Sequence, residues 1–173
     1  MTSTQSASPD RGVDPRAFRN ACGQFATGVT VITVRDGDGA RGMTANSFTS
    51  VSLDPPLVLV SVDLKNRTHT LLGPDSRFVV NILADDHVGW SDRFAGRHGD
   101  IQHQFEDVPH TLTEDGLPII DGVLTALVCR VDAIHPAGDH SLFVGRVEQF
   151  HSRTDRAPLL FYGGSYRALA PKE

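Results

Sequence analysis

Residues 42–63 read GMTANSFTSVSLDPPLVLVSVD and decide the fold, because strand-like runs here meet a double-proline break. Two strands are predicted around 41–46 and 47–53, ended by Asp54-Pro55-Pro56. The next run, 57–63, is apolar almost throughout, so we expect a strand buried on both faces. Small and hydroxyl-bearing side chains fill the first two strands. Such a surface leaves room for a ligand, although a polar strand pair facing solvent would look the same.

Upstream of this block, the spacing of the apolar residues is first typical of a helix and then of a strand. Asp14 is expected to cap a helix with Pro15 at its first position and a stop at Gly28. Its apolar residues are Phe18, Ala21, Cys22 and Phe25. VTVITV (29–34) then predicts a strand, and Asp36-Gly37-Asp38-Gly39 predicts a hairpin turn.

Downstream, strands return in hairpin succession and helices are few. Short helices are predicted over 67–72 and, capped by Asp85 or Asp86, near Val88, Trp90 and Phe94. Residues 96–118 lack a clear period and are expected to form a surface excursion. The strand predictions are 77–82, 123–135, 141–152, 158–162 and 165–169, with links at Pro136-Ala137-Gly138-Asp139-His140 and Gly163-Gly164. This pattern favours a mainly β, antiparallel barrel with helical additions over a doubly wound α/β fold.

Composition narrows the class of protein. With 173 residues, 39% hydrophobic and 21% charged, the chain predicts one soluble domain over 14–170 after a disordered tail at 1–13. A net charge of −5 argues against nucleic acid as the main partner, and no apolar run is long enough for a membrane span. Cys22 and Cys129 are expected to be free thiols, and the polar N-terminus lacks a signal peptide. These features predict a cytoplasmic location.

The stretch Asp63-Leu64-Lys65-Asn66-Arg67-Thr68 leaves a strand and opens a helix. A helix N-terminus with a hydroxyl and two nearby cations is a sound phosphate site. Ordinary capping by Asn66 beside solvated basic side chains explains the same residues.

Gly138-Asp139-His140 forms the second polar candidate, because the Asp could fix the tautomer of the imidazole beside it. A turn carrying an incidental exposed histidine is the alternative.

Motifs for other chemistries are missing from the sequence: we find no dinucleotide-binding glycine fingerprint, P-loop or nucleophile elbow. The remaining His and acidic residues fit no standard ligand spacing, so no metal is expected: His98, Asp100, His103, Glu106, Asp107 and His110.

Five motifs in this order resemble the short-chain flavin reductase family, the reductase components of two-component flavin monooxygenases. They are GVTVITV (28–34), GMTANSFTSVSLDPPLVLVSVD (42–63), FVVNIL (78–83), GDHSLFVGRVE (138–148) and PLLFYGGSY (158–166), and the resemblance covers about 14–169. It implies a split β-barrel of the FMN-binding type that binds FMN or FAD as a homodimer. It also implies oxidation of NADH or NADPH and release of reduced flavin, by diffusion, to a separate flavin-dependent oxygenase.

The resemblance also implies roles for individual residues. Residues 44–47 would lie along the isoalloxazine ring, and 61–68 would approach the ribityl chain and phosphate. His140 would lie near the nicotinamide, oriented by Asp139. The complete set of expected flavin contacts is Met43, Thr44, Ala45, Asn46, Ser47, Ser50, Ser61, Val62, Asp63, Lys65, Asn66, Arg67, Thr68, Phe94, Tyr162 and Tyr166.

The chain departs from the family pattern at three places. One follows Phe94, where the family often shows Asp-Lys-Phe and Gln104-Phe105 is the nearest match here. Tyr162-Gly163-Gly164-Ser165-Tyr166 lacks the two arginines often found in the last strand, and Arg67 stands where a serine is common. Flavin and nucleotide preference therefore stay open, as do two rival functions: an oxidoreductase that retains its flavin, and a non-catalytic flavin-binding protein. An interface is expected near Phe18, Phe25 and the 96–118 segment.

Overall fold

Three short helices and twelve strands make up the part of the chain that the computed structural model describes, residues 12–96 and 103–169. The helices are α1 (Pro15–Cys22), α2 (Arg67–Leu71) and α3 (Val88–Phe94). The strands are β1 (Thr27–Gly28), β2 (Thr30–Asp36), β3 (Gly39–Ala45), β4 (Phe48–Leu53), β5 (Pro56–Asp63), β6 (Arg77–Ile82), β7 (His110–Leu112), β8 (Pro118–Ile120), β9 (Thr125–Ala137), β10 (His140–Ser152), β11 (Leu160–Tyr162) and β12 (Ser165–Arg167). The predicted mainly β class is confirmed.

Seven strands form one antiparallel sheet in the order β3-β2-β6-β9-β10-β5-β4. β3 and β4 follow each other in sequence, yet they lie at opposite edges of this sheet. Only Asn46 and Ser47 separate them, so the sheet must curl until its two edges approach each other at that corner. The candidate ligand-binding residues of the sequence lie at this corner.

Two hydrophobic clusters stabilise the sheet, one on each face. One contains Val31, Val79 and Leu83 and is covered by α3 and β8, whereas the other contains Ile32, Val60 and Phe143. β2 supplies both clusters and is buried on both faces. β5 was also expected to be buried on both faces, but from Leu57 onward its residues alternate between half-buried and buried. The expectation was wrong because β5 lies next to the edge strand β4, where one face receives only partial cover.

The first helix is shorter than predicted and packs differently. The Asp14 carboxylate caps it by accepting from Ala17 N at 2.7 Å, but it ends at Gly23 instead of Gly28. Gly28 lies in β1, paired with Leu160. No residue of α1 is buried within the described structure, and Phe18 and Phe25 are 60% and 78% exposed.

Three other expectations need correction. His87, and not Asp85 or Asp86, stands at the N-cap of α3 and makes no side-chain capping bond, while the carboxylate of Asp86 forms a salt bridge with Arg156. The link between β9 and β10 is only Gly138-Asp139, so Pro136, Ala137 and His140 belong to strands. Of the predicted surface excursion 96–118, the described residues 103–118 contribute β7 and the start of β8, so this part is not only a surface loop. They also bury Gln104, Val108 and Leu117.

Some expectations fall outside the described residues or concern single groups. The predicted tail lies almost entirely in residues 1–11, and His98 and Asp100 in 97–102, none of which the structure describes. Cys22 and Cys129 are both free, as predicted, and burial raises the pKa of the Cys129 thiol to about 12. Among the described residues, no helix has the length and apolar character that crossing a bilayer requires.

Candidate functional site

A pocket of about 160 Å³ lies at the corner where β3 passes into β4. Thr44, Ala45 and Asn46 form one wall. The opposite wall comes from α3 and the β11–β12 hairpin and consists of Ser91, Ala95, Phe161 and Tyr166, with Val29 beside them. β3 is an edge strand, so alternate backbone N–H and C=O groups face outward instead of pairing with β2.

Hydrogen bonds hold the side chains of this pocket in place. The Thr44 hydroxyl donates to the carbonyl of Ser91 at 2.6 Å. The Tyr166 hydroxyl lies 2.8 Å from Ser91 Oγ and 2.7 Å from Asp92 Oδ1. Thr30 Oγ1 donates to the carbonyl of Ala45 at 2.8 Å. These bonds fix the side chains of the corner, and the outward backbone groups of β3 there are available to meet a polar ligand.

The second predicted segment joins the first directly. Ser47 Oγ donates to the carbonyl of Ser61 at 2.9 Å and also lies 3.3 Å from Ser61 N. β5 then ends at Asp63, whose carboxylate accepts from Lys65 N at 2.8 Å. Residues 44–47 and the start of 61–68 thus form one continuous surface.

The start of α2 shows the ordinary capping that the sequence left open. Asn66 Oδ1 accepts from Thr68 N at 2.9 Å, and the Arg67 guanidinium lies 2.7 Å from Asp36 Oδ1. Thr68 Oγ1 is buried and has no hydrogen-bond partner among the described residues. The segment therefore presents Lys65 and Arg67 near the surface, with Arg67 already engaged by a carboxylate.

The Gly138-Asp139-His140 turn lies beside this segment. The backbone of Leu64 donates to the carbonyl of Asp139 at 3.0 Å, and His140 is the strand partner of Asp63. His140 Nδ1 lies 2.7 Å from Asp139 Oδ1. That hydrogen bond and the charge of the imidazole lower the pKa of Asp139, with a smaller contribution from Lys65. The structure thus brings the two polar candidates together.

Several predicted contact residues have their side chains elsewhere. Phe94 is 3% exposed and packs against Gly42, while Met43 and Val62 point into the core. These side chains are packing residues, so any ligand contact of Met43 or Val62 must use the backbone. The Tyr162 hydroxyl bonds Gln24 Oε1 at 3.0 Å, and Ser50 is exposed on β4 next to a bulge.

The pocket also contains residues that the sequence did not single out: Val29, Ser91, Ala95 and Phe161. Phe161 and Tyr162 are neighbours on β11 and their side chains lie on opposite faces of the strand. Phe161 lines the pocket because its face of the strand is turned towards it. Ser91 and Ala95 carry no sequence signal beyond their position on α3. Among residues 12–96 and 103–169, no three His, Cys, Asp or Glu side chains are grouped so that they could hold a metal ion.

Residues 22–170 match the family model described as the flavin reductase like domain. An NADH-dependent flavin reductase of a Rhodococcus species is 45% identical over 163 residues, covering 92% of this chain and 89% of the relative. The FMN reductase (NADH) SmoA of Agrobacterium fabrum is 43% identical over 155 residues, covering 90% and 86%.

Solved structures agree with these sequence relatives. The NADH:FAD oxidoreductase SgcE6 of Streptomyces globisporus C-1027 superimposes with a TM-score of 0.85 at 40% identity, covering 95% of this chain and all of that one. Flavin reductase PheA2 gives a TM-score of 0.79 at 42% identity, covering 92% of this chain and all of that one.

Proposed function

The chain belongs to the flavin reductase like family, and on that premise we propose that it is an NADH-dependent flavin reductase. It reduces FMN or FAD by hydride transfer and supplies the reduced flavin to a separate oxygenase. One observation carries the assignment to this site. Residues 44–47 end at Ser47, whose hydroxyl donates to the carbonyl of Ser61, and Leu64, just after β5, donates to the carbonyl of Asp139, so the corner, the end of β5 and the Asp139-His140 turn form one continuous surface.

We propose that the flavin ring lies along this surface and that the domain, 14–170, is a split barrel. The outward edge of β3 at 44–47 donates backbone hydrogen bonds to the polar edge of the ring. The segment 61–68 follows the ribityl chain, with Lys65 and Arg67 near the phosphate. Tyr166 and Phe161 close the far wall of the pocket.

The hydride chemistry belongs to the flavin and the nicotinamide, which react when their rings are stacked. The protein's own residues align the two rings and stabilise the negative charge that reduction creates. His140, held by Asp139 through Nδ1, faces a nucleotide through Nε2 and positions it. No side chain here needs to transfer a proton.

A second copy of the chain completes the site. The 160 Å³ pocket is smaller than the roughly 300–1,000 Å³ of typical small-molecule sites. The exposed rings of Phe18 in α1 and of Phe25 just after it flank residues 23–24, which bond the β11–β12 hairpin of the pocket: the Gly23 carbonyl accepts from Gly163 N, and Gln24 accepts from the Tyr162 hydroxyl. A homodimer formed through this face would bury the apolar rings and enclose the flavin at the same time.

The flavin acts as a substrate that leaves after each turnover. Arg67 shares its charge with Asp36, and the β11–β12 hairpin carries Gly163 and Ser165 where the family often has arginine. Both features weaken binding of the flavin phosphate, which suits fast release.

The two free thiols support a reducing compartment, and we propose the cytoplasm.

The test is NADH oxidation, followed at 340 nm, with FMN, with FAD and without added flavin. We expect oxidation that requires added flavin and saturates with it. Turnover of another acceptor without free flavin would indicate an enzyme that retains its flavin. Flavin binding without NADH oxidation would indicate a carrier.

A further inference from the structure

A second and larger pocket, about 780 Å³, lies between the β2–β3 hairpin and the segment 103–110. Its volume falls within the roughly 300–1,000 Å³ typical of ligand sites. Its lining is mostly polar or aromatic and includes Asp36, Arg41, Arg67, Phe105, Glu106 and His110.

The outer wall of this pocket is anchored to the fold at several points. Gln104 Oε1 accepts from Gly42 N at 2.9 Å, and Arg93 Nε donates to the carbonyl of Gln104 at 2.6 Å. The Phe105 ring packs on Phe94 with centroids 4.9 Å apart. The pocket is therefore a preformed part of the structure.

Arg67 connects the pocket to the site proposed above. It is the first residue of α2 and belongs to the segment 61–68 proposed to hold the flavin phosphate, and it also lines the pocket, where its guanidinium contacts Asp36. A ligand whose phosphate lies at the start of α2 can therefore extend into this pocket.

The side chains fit one kind of group. Phe105 and His110 have ring centroids 5.3 Å apart and form an aromatic wall for a base. The carboxylates of Asp36 and Glu106 suit ribose hydroxyls, as an acidic residue does in dinucleotide sites. We propose that this pocket binds the adenosine phosphate end of a dinucleotide whose other end reacts at the flavin site. The proposal rests on the proposed function.

Both NADH and FAD carry this adenosine phosphate end, so truncated substrates distinguish the two sources. Reduced nicotinamide mononucleotide lacks the group that NADH has, and FMN lacks the group that FAD has. Ala40 is half-buried and lines the pocket, so Ala40→Tyr fills the pocket from the hairpin. Asp38→Tyr is the matched control, because Asp38 is exposed in the turn of the same hairpin and does not line the pocket.

The experiment measures KM for NADH against reduced nicotinamide mononucleotide with FMN as acceptor, and for FAD against FMN with NADH as donor. For each pair, the KM of the complete dinucleotide is divided by the KM of its truncated form. We expect Ala40→Tyr to raise this ratio roughly ten-fold for one pair, whereas Asp38→Tyr leaves both ratios unchanged. The pair whose ratio changes shows whether NADH or FAD occupies the pocket. Unchanged ratios for both pairs would overturn the proposal, while NADH oxidation with FMN would leave the proposed function intact.

A second measurement does not depend on a variant. AMP alone, titrated into the wild-type protein by calorimetry, is expected to bind and to inhibit competitively against the same dinucleotide. Absence of AMP binding at millimolar concentration would overturn the proposal even if Ala40→Tyr failed to fold.

Discussion

His140 Nδ1 lies 2.7 Å from Oδ1 of its neighbour Asp139. Asp139 ends the two-residue turn that joins β9 and β10, the longest strands of the sheet, and His140 begins β10. The hydrogen bond occupies one ring nitrogen and fixes the plane of the imidazole. Contact with a nucleotide is therefore left to Nε2, in a side chain that is 39% exposed. The geometry suits a positioning group, which leads to the first prediction.

Replacement of His140 by Ala should raise KM for NADH several-fold while changing KM for flavin much less, since the imidazole is assigned to the nicotinamide. Steady-state kinetics with each substrate varied in turn measure both constants. His151→Ala, on an exposed position of the same strand, is the control. Unchanged nucleotide kinetics in His140→Ala would remove the proposed role.

Asn46→Asp should weaken binding of reduced flavin more than binding of oxidised flavin. The change places a negative charge at the exposed corner where the ring is proposed to gain negative charge on reduction. Anaerobic titration gives the two dissociation constants. Thr49→Asp adds the same charge on β4, outside the pocket lining, and should not discriminate between the two forms. Equal affinities for both forms in Asn46→Asp would contradict the ring placement.

Gly42→Ala should destabilise the fold. A Cβ at this position would lie 2.3 Å from Cδ1 of the buried Phe94 ring, and such overpacking costs roughly 1–3 kcal/mol. Thermal unfolding should show a melting temperature several degrees lower, partly restored by Phe94→Leu in the same chain. Gly89→Ala is the control, because nothing lies within 4 Å of the Cβ that it would add in α3. A wild-type melting temperature for Gly42→Ala would disprove the close contact.

His87 should make the protein less stable below neutral pH. Burial lowers its pKa from the ordinary 6.5, an effect increased by the charge of Arg156 and opposed by Asp86. The unfolded state therefore takes up a proton at a higher pH than the folded state, so the free energy of unfolding falls as pH drops below about 6.5. Urea denaturation at pH 7.5 and 5.5 measures this fall. His87→Gln should show a smaller difference between the two pH values, and an identical difference would exclude His87 as its source.

Phe18→Glu should convert the proposed dimer to a monomer, because it places a charge in the apolar face of α1. Sedimentation velocity measures the mass, and flavin titration shows whether the site is lost with the partner. Arg16→Glu alters the charge of the same helix at an exposed position outside the apolar residues. A dimer that survives Phe18→Glu would show that the interface lies elsewhere.

Two hairpins and two helix starts were predictable because local residues specify them. Asp36-Gly37-Asp38-Gly39 predicts the β2–β3 hairpin, and Gly37 adopts a φ of 60° there. Gly163 and Gly164, with φ of 58° and 80°, do the same for β11 and β12. Asp14 and Asn66 cap the two helices for which they were predicted.

Sequence alone was not sufficient where long-range contacts decide the outcome. The ring of Phe94, a predicted flavin contact, packs in the core against Gly42, and no local pattern signals that contact. The 96–118 segment has no period of its own, because Gln104 is fixed by Gly42 N instead of by a local pattern. Phe161 was not singled out, because the sequence does not show which face of the three-residue strand β11 turns towards the pocket.

The central claim is that flavin is reduced and then released, and anaerobic multiple turnover tests it most directly. The protein is mixed with a twenty-fold excess of FMN and of NADH without oxygen, and the solution is passed through an ultrafiltration membrane. The account predicts that nearly all the FMN becomes reduced and appears in the filtrate. Reduction of only one flavin per protomer, retained with the protein, would contradict it.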